Sequence, residues 1–144
     1  MRPVSGKTFL YETLIRESHL DSFGHVNHAK YLTLFQEARW EFITQNGYGL
    51  EAVLATGQGP VILDAKVRFR KELRLREKIR IESRVTACRG RLSTIKQWLY
   101  NADGELCSEI ELTSGFFDTQ TRKLTKPSPQ WLRAIGYEAT LSNA

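Results

Sequence analysis

The apolar positions of this chain follow two periods. Between His28 and Asn46, Tyr31, Leu32, Phe35, Ala38, Phe42 and Ile43 recur at spacings of three and four, which predicts one long helix capped by Asn27 and stopped at Gly47. Leu34 and Trp40 widen its apolar surface beyond a single stripe, so the helix is expected to be wrapped on several sides. Ahead of it, Thr8 to Glu17 has the β-rich composition of a first strand. After a connection containing Gly47, Gly49, Gly57 and Gly59 the period becomes two. Val61, Leu63, Ala65, Val67 and Phe69 alternate with Ile62, Asp64, Lys66, Arg68 and Arg70, the pattern of a half-buried antiparallel strand. Ile79, Ile81, Val85 and Ala87 repeat it. Arg89-Gly90-Arg91 predicts a turn into a strand from Ser93 to Tyr100. Asn101-Ala102-Asp103-Gly104 predicts another, before a strand with Leu106, Ile110, Leu112 and Phe116 on one face. Lys126-Pro127-Ser128-Pro129 breaks the chain ahead of a short helix, Gln130 to Ile135. A strand, a long helix and four strands able to pair as consecutive hairpins predict an α+β protein. Its five-stranded antiparallel sheet would wrap around one central helix, each covering the other's apolar surface.

Composition narrows this little. The 144 residues suit one domain, 1–144, with no internal repeat, and 41% hydrophobic and 26% charged residues are an ordinary globular balance. No apolar run approaches the roughly 20 residues that span a bilayer, and Met1 to Lys7 lacks the apolar stretch of a signal peptide, so a cytoplasmic protein without membrane contact is expected. Cys88 and Cys107 lack metal-ligand or disulfide spacing and are read as reduced thiols; no metal site is expected. The net charge of +5 points either to nucleic acid or to small polyanions such as phosphates. The basic residues are scattered and carry no aromatic-rich recognition motif, which argues against nucleic acid.

The chemistry concentrates in His19-Leu20-Asp21-Ser22-Phe23-Gly24-His25-Val26-Asn27-His28, which places one carboxylate, three imidazoles and a chain-reversing glycine just before a helix N-terminus. Backbone N–H groups there are unpaired and attract an anion. A carboxylate can attack a carbonyl or activate water. Read alone, Asp21 suits a loop cap as well as a reactive group. Asn27 reads as the helix cap, His25 as a hydrogen-bonding partner within the loop, and His28 either as a group acting on the carbonyl or leaving thiolate or as a solvent-facing first-turn residue.

The segment resembles the hotdog-fold acyl-CoA thioesterases of the 4-hydroxybenzoyl-CoA thioesterase-like family. Asp21, Gly24, His25-Val26-Asn27, Tyr31-Leu32 and Glu37-Ala38-Arg39 fall in register with that family's motif, and His19-Leu20-Asp21 with Arg39-Trp40 is most similar to its long-chain branch. The resemblance implies a hotdog fold, sheets of two subunits joined in a homodimer or homotetramer, and hydrolysis of medium- to long-chain acyl-CoA without a cofactor. Asp21 is then nucleophile or general base, His28, His25 and Asn27 complete the catalytic loop, and the amide of His28 is the expected oxyanion donor. The matching position usually holds Asn in the long-chain branch, a departure that leaves the His28 side chain open. Tyr31 is expected to line the substrate site. Arg68, Arg70, Arg89 and Arg91 are candidates for the phosphates of coenzyme A, since a guanidinium presents a bidentate fork. Phe35, Trp40 and Phe42 are expected along an acyl tunnel. Rival readings are a hotdog dehydratase or hydratase, and a non-catalytic basic module binding an acyl-carrier protein or nucleic acid.

Overall fold

A computed structural model describes residues 6–137. Strand β1 (Thr8–Leu14) leads through a single 3₁₀ turn (Glu17–His19) and a loop into helix α1 (His28–Gln45). A short helix, α2 (Leu50–Thr56), precedes strands β2 (Gln58–Phe69), β3 (Lys78–Arg89), β4 (Leu92–Tyr100) and β5 (Leu106–Asp118). A two-residue strand, β6 (Lys123–Leu124), and helix α3 (Pro129–Ala134) complete the fold. The five long strands form one antiparallel sheet in the order β1-β3-β4-β5-β2, with β6 on the end of β5. Its concave face receives α1, the α+β hotdog arrangement expected from the sequence.

Several local expectations hold for the reasons given. Asn27 caps α1 by accepting from the Ala29 amide at 2.9 Å, and Ser128 caps α3 from Trp131 at 3.2 Å. Gly47 takes a φ of +92°, the left-handed conformation that ends a helix. The turns at Gly90 and Gly104 close the β3–β4 and β4–β5 hairpins, Gly104 donating to the Asn101 carbonyl at 3.0 Å.

Three expectations are corrected. The strands do not all pair as consecutive hairpins, because β2 crosses to the far edge and pairs with β5 instead of β3. Alternation alone carries no partner choice; it says only that one face is buried. The glycine-containing connection after α1 holds an element the pattern did not predict: Leu50–Thr56 forms α2, closed by Gly57 at φ +70°. Strand β2 is also far more open than its alternation implied, with Ile62 at 44%, Leu63 at 52% and Phe69 at 53% exposure. A bulge between Ile62 and Asp64 breaks its period, so that Leu63 sits over Gly115 on the outer face while Ala65 and Val67 pair with Leu112 and Ile110.

The core lies between α1 and the concave face. Tyr31, Leu34, Phe35, Ala38, Phe42 and Ile43 of the helix meet Ile79, Ile81, Val85, Ile95, Leu99, Ile110 and Leu112 of the sheet. Phe42 stacks on Phe9 with ring centroids 4.3 Å apart. Among these apolar groups Gln97 is fully buried. Its Nε2 donates to the Phe35 carbonyl at 2.9 Å and to Ser83 Oγ at 3.0 Å, while its Oε1 accepts from Arg39 Nη1 at 2.8 Å.

Removing this carboxamide leaves a cavity and strands buried polar groups. Gln97→Ala is expected to lower unfolding stability by about 2–4 kcal/mol. The exposed control Gln120→Ala should stay within about 0.5 kcal/mol. Chemical denaturation of both variants checks this, and equal losses would show that the network contributes nothing beyond a surface glutamine.

Candidate active site

The loop between β1 and α1 is built by its own backbone. The buried His19 accepts the Arg16 amide on Nδ1 at 2.8 Å, and its carbonyl accepts the Asn27 amide at 3.0 Å, so one residue ties both ends. Leu20 and Val26 form a one-pair β-bridge, and the Asp21 amide donates to the His25 carbonyl at 2.8 Å. Gly24 reverses the chain at φ +81°, where any side chain would be strained. The loop is therefore a small closed hairpin with Asp21 at its shoulder.

Asp21 Oδ1 accepts the amides of Phe23 at 2.9 Å and His25 at 3.2 Å. Two donors on one oxygen hold the carboxylate in a fixed orientation, and among the described residues Oδ2 has no hydrogen-bond partner. Immediately beyond, Asn27 uses its side chain and carbonyl on the amides of Ala29 and Lys30. The His28 amide is left without an acceptor among the described residues. A half-exposed carboxylate and an unused helix N-terminal N–H thus belong to one short segment.

The other expected residues divide by location. His25 Nε2 lies 3.1 Å from Glu72 Oε2, a contact from the β2–β3 connection that steadies the loop from outside. His28 is exposed. Tyr31 is buried and packs edge-on against Phe69 at 5.1 Å, and burial pushes its hydroxyl up to about 12. Arg70 is paired with Glu109 at 3.0 Å, which holds that glutamate below its ordinary pKa. Arg68 lies on the outer face of the sheet, beside a cavity of about 240 Å³ lined also by Lys66, Lys96, Trp98 and Glu111.

Arg89 and Arg91 are not brought to Asp21 within one chain. The loop follows Leu14, which pairs with Lys78 at one end of β3, whereas Arg89 ends that strand eleven residues later. At ~3.3 Å per residue that is roughly 36 Å. Of the expected tunnel residues, Phe35 and Phe42 are core side chains instead, and Trp40 borders a cavity. Gln97 and Ser83 were not among the expected residues, although a glutamine between Ile95 and Leu99 and a serine between Ile81 and Val85 mark polar positions on an apolar face.

Among the described residues no helix is long and apolar enough to cross a membrane, and no group of three or more His, Cys, Asp or Glu side chains is placed to hold a metal ion. The chain is 26% identical over 110 residues to the long-chain acyl-CoA thioesterase FadM of Escherichia coli K12, covering 76% of this chain and 83% of that one. Among solved structures, its fold is similar to a DHNA-CoA thioesterase from Staphylococcus aureus, with a TM-score of 0.81 at 22% identity over 94% of this chain and 93% of the other. It is likewise similar to the Staphylococcus aureus protein SAV2348 solved in complex with CoA, with a TM-score of 0.84 at 17% identity over 90% and 82%. From residue 15 to residue 135 the sequence matches the thioesterase-like superfamily, and the chain belongs to it.

Proposed function

We propose that this protein hydrolyses the thioester of medium- to long-chain acyl-CoA in the cytoplasm, without an organic or metal cofactor. The observation that carries the reading is the pairing in one loop of an oriented carboxylate, Asp21, with the unused amide of His28 at the start of α1. Either water adds to the thioester carbonyl under general-base action of Asp21, or the Asp21 carboxylate adds first and expels the coenzyme A thiolate to leave an anhydride, which water then hydrolyses. In both routes the carbonyl oxygen becomes an oxyanion, which a preorganised backbone donor stabilises by ~3–4 kcal/mol. The C–S bond breaks, the coenzyme A thiolate takes up a proton, and the free acid departs. Asn27 serves the chemistry indirectly by fixing the helix start, and His25 by donating its amide to Asp21. Tyr31 borders the acyl group from beneath the loop.

A homodimer or homotetramer completes this site. Strand β2 is an edge with Ile62, Leu63 and Phe69 exposed, which is costly in an isolated chain. Antiparallel pairing of two β2 strands about a twofold axis sets the start of one beside the end of the other. Arg89 and Arg91 of the partner subunit would then approach the end of the sheet where Asp21 lies, which supplies the phosphate contacts that one chain separates. Light scattering at micromolar concentration is expected to give a dimer or tetramer; a fully active monomer would remove the shared site.

Thiol release from a saturated series, acetyl- to palmitoyl-CoA, tests the activity. Each buried methylene contributes up to ~0.8 kcal/mol, so kcat/KM should climb by up to roughly tenfold per two carbons before levelling. Asp21→Asn is expected to lower turnover at least ~10²-fold with binding retained. His28→Pro keeps a residue suited to the first helical position but deletes its N–H, so it should be slower than His28→Ala. A well-folded Asp21→Asn enzyme with normal turnover would exclude Asp21, equal rates for the two His28 variants would exclude the amide, and a flat chain-length profile would exclude the long-chain preference.

A further inference from the structure

Halfway along α1, on the side facing β2, lies a cavity of about 190 Å³. Trp40, Ile43, Ile62 and Trp131 give it apolar walls, and Gln36, Arg39 and Ser114 supply polar atoms. Its volume is below the ~300 Å³ at which pockets for whole ligands begin, so it suits the end of a chain and not an entire thioester.

Arg39 is out of place in such surroundings. Of its five N–H donors one is used, by Nη1 on Gln97 Oε1, and the others have no acceptor among the described residues. Among the described residues no nitrogen of the guanidinium is sealed from solvent without a partner, and Arg39 is one of the residues that line the cavity. Among the described residues no carboxylate forms an ion pair with it. Burial pulls its pKa down to about 10, and no neighbouring anion offsets that loss of hydration. Holding Gln97 needs one donor; it does not need a cation. A guanidinium with a free fork beside apolar walls is the recognition chemistry of a carboxylate on a hydrocarbon stem.

We propose that this cavity binds a carboxylate carried on an apolar chain, with Arg39 taking the carboxylate and Trp40, Ile43 and Ile62 the chain. The proposal rests on the acyl-thioester reading, which supplies two sources of that chemistry. One is the free acid that hydrolysis releases. The other is a distal carboxylate on the acyl group, since Arg39 lies eleven residues, about 16 Å, along α1 from His28 at the helix start. An unsubstituted alkyl end placed there would instead strip water from the guanidinium without replacing it.

Decanoate and decanol, which share a stem of equal length, separate the carboxylate from the chain. In thermal denaturation of the wild-type protein, decanoate is expected to raise the melting temperature and decanol to do so much less, with the difference lost in Arg39→Met. Equal shifts by the two ligands would overturn the proposal, and because that comparison needs only the wild-type protein, it decides even where Arg39→Met folds poorly. Turnover then assigns the source. If the carboxylate belongs to the substrate, the mono-CoA thioester of decanedioic acid is expected to exceed decanoyl-CoA in kcat/KM by about tenfold or more, and Arg39→Met to reverse the order. If it belongs to the product, decanoate inhibits the wild type competitively and Arg39→Met relieves the inhibition. Absence of thiol release from every acyl-CoA, with the decanoate shift intact, would reject the thioesterase reading and leave the pocket standing. Thiol release without any carboxylate-specific shift would do the opposite.

Discussion

The carboxamide of Gln97 fixes how the long helix sits on the sheet. It is buried at the middle of the concave face, and its hydrogen bonds to the Phe35 carbonyl, Ser83 and Arg39 join α1 to β3 and β4 at one point. Apolar packing around it is strong but tolerant of small slides, because hydrocarbon contacts carry little direction. A buried donor and acceptor that must both be met allow one registration only. The N-terminus of α1 therefore reaches the Asp21 loop at a set height and angle, and the candidate site inherits its geometry from a polar group far from Asp21.

At that N-terminus, the atoms that close the short loop are also those of the proposed chemistry. Asp21 closes the turn through Oδ1, so the residue is a cap in the structural sense, and this fixes the direction of the second oxygen. Structural and catalytic readings of this aspartate are thus compatible: a carboxylate held by backbone amides loses little freedom when it acts. His19 works in the same economical way, with its imidazole and carbonyl meeting the two ends of the loop.

Strand β2 and the face of α1 beside it carry two adjoining open features. The edge strand exposes Ile62, Leu63 and Phe69, and between it and the helix lies the cavity that Arg39 borders. An edge with apolar side chains and unpaired backbone groups suits a second sheet, while a cavity beside a cation that has no carboxylate partner among the described residues suits a ligand. The two features adjoin, so an acyl chain entering between α1 and β2 would be enclosed more fully in an assembly than in a single chain.

The sequence alone carried the elements and the site loop. The three- and four-residue spacing of Tyr31 to Ile43, the Asn27 cap, the turns at Gly90 and Gly104 and the Asp21-to-His28 segment all act within a few residues, where periodicity and backbone conformation leave their mark directly. The α+β class followed because one broadly apolar helix and several half-apolar strands each lack what the other supplies. What tertiary structure decided is everything that depends on partners distant along the chain. Strand β2 reads like its neighbours yet pairs with β5 at the far edge, and its bulge moves Leu63 to the outer face. Phe35 and Phe42 look like tunnel residues in one dimension and prove to be core. Arg39 and Gln97, separated by 58 positions, meet beneath the helix. Alternation tells a residue which face it occupies; only the folded sheet determines what lies opposite that face, and pairing, burial and the surroundings of a charge are all set there.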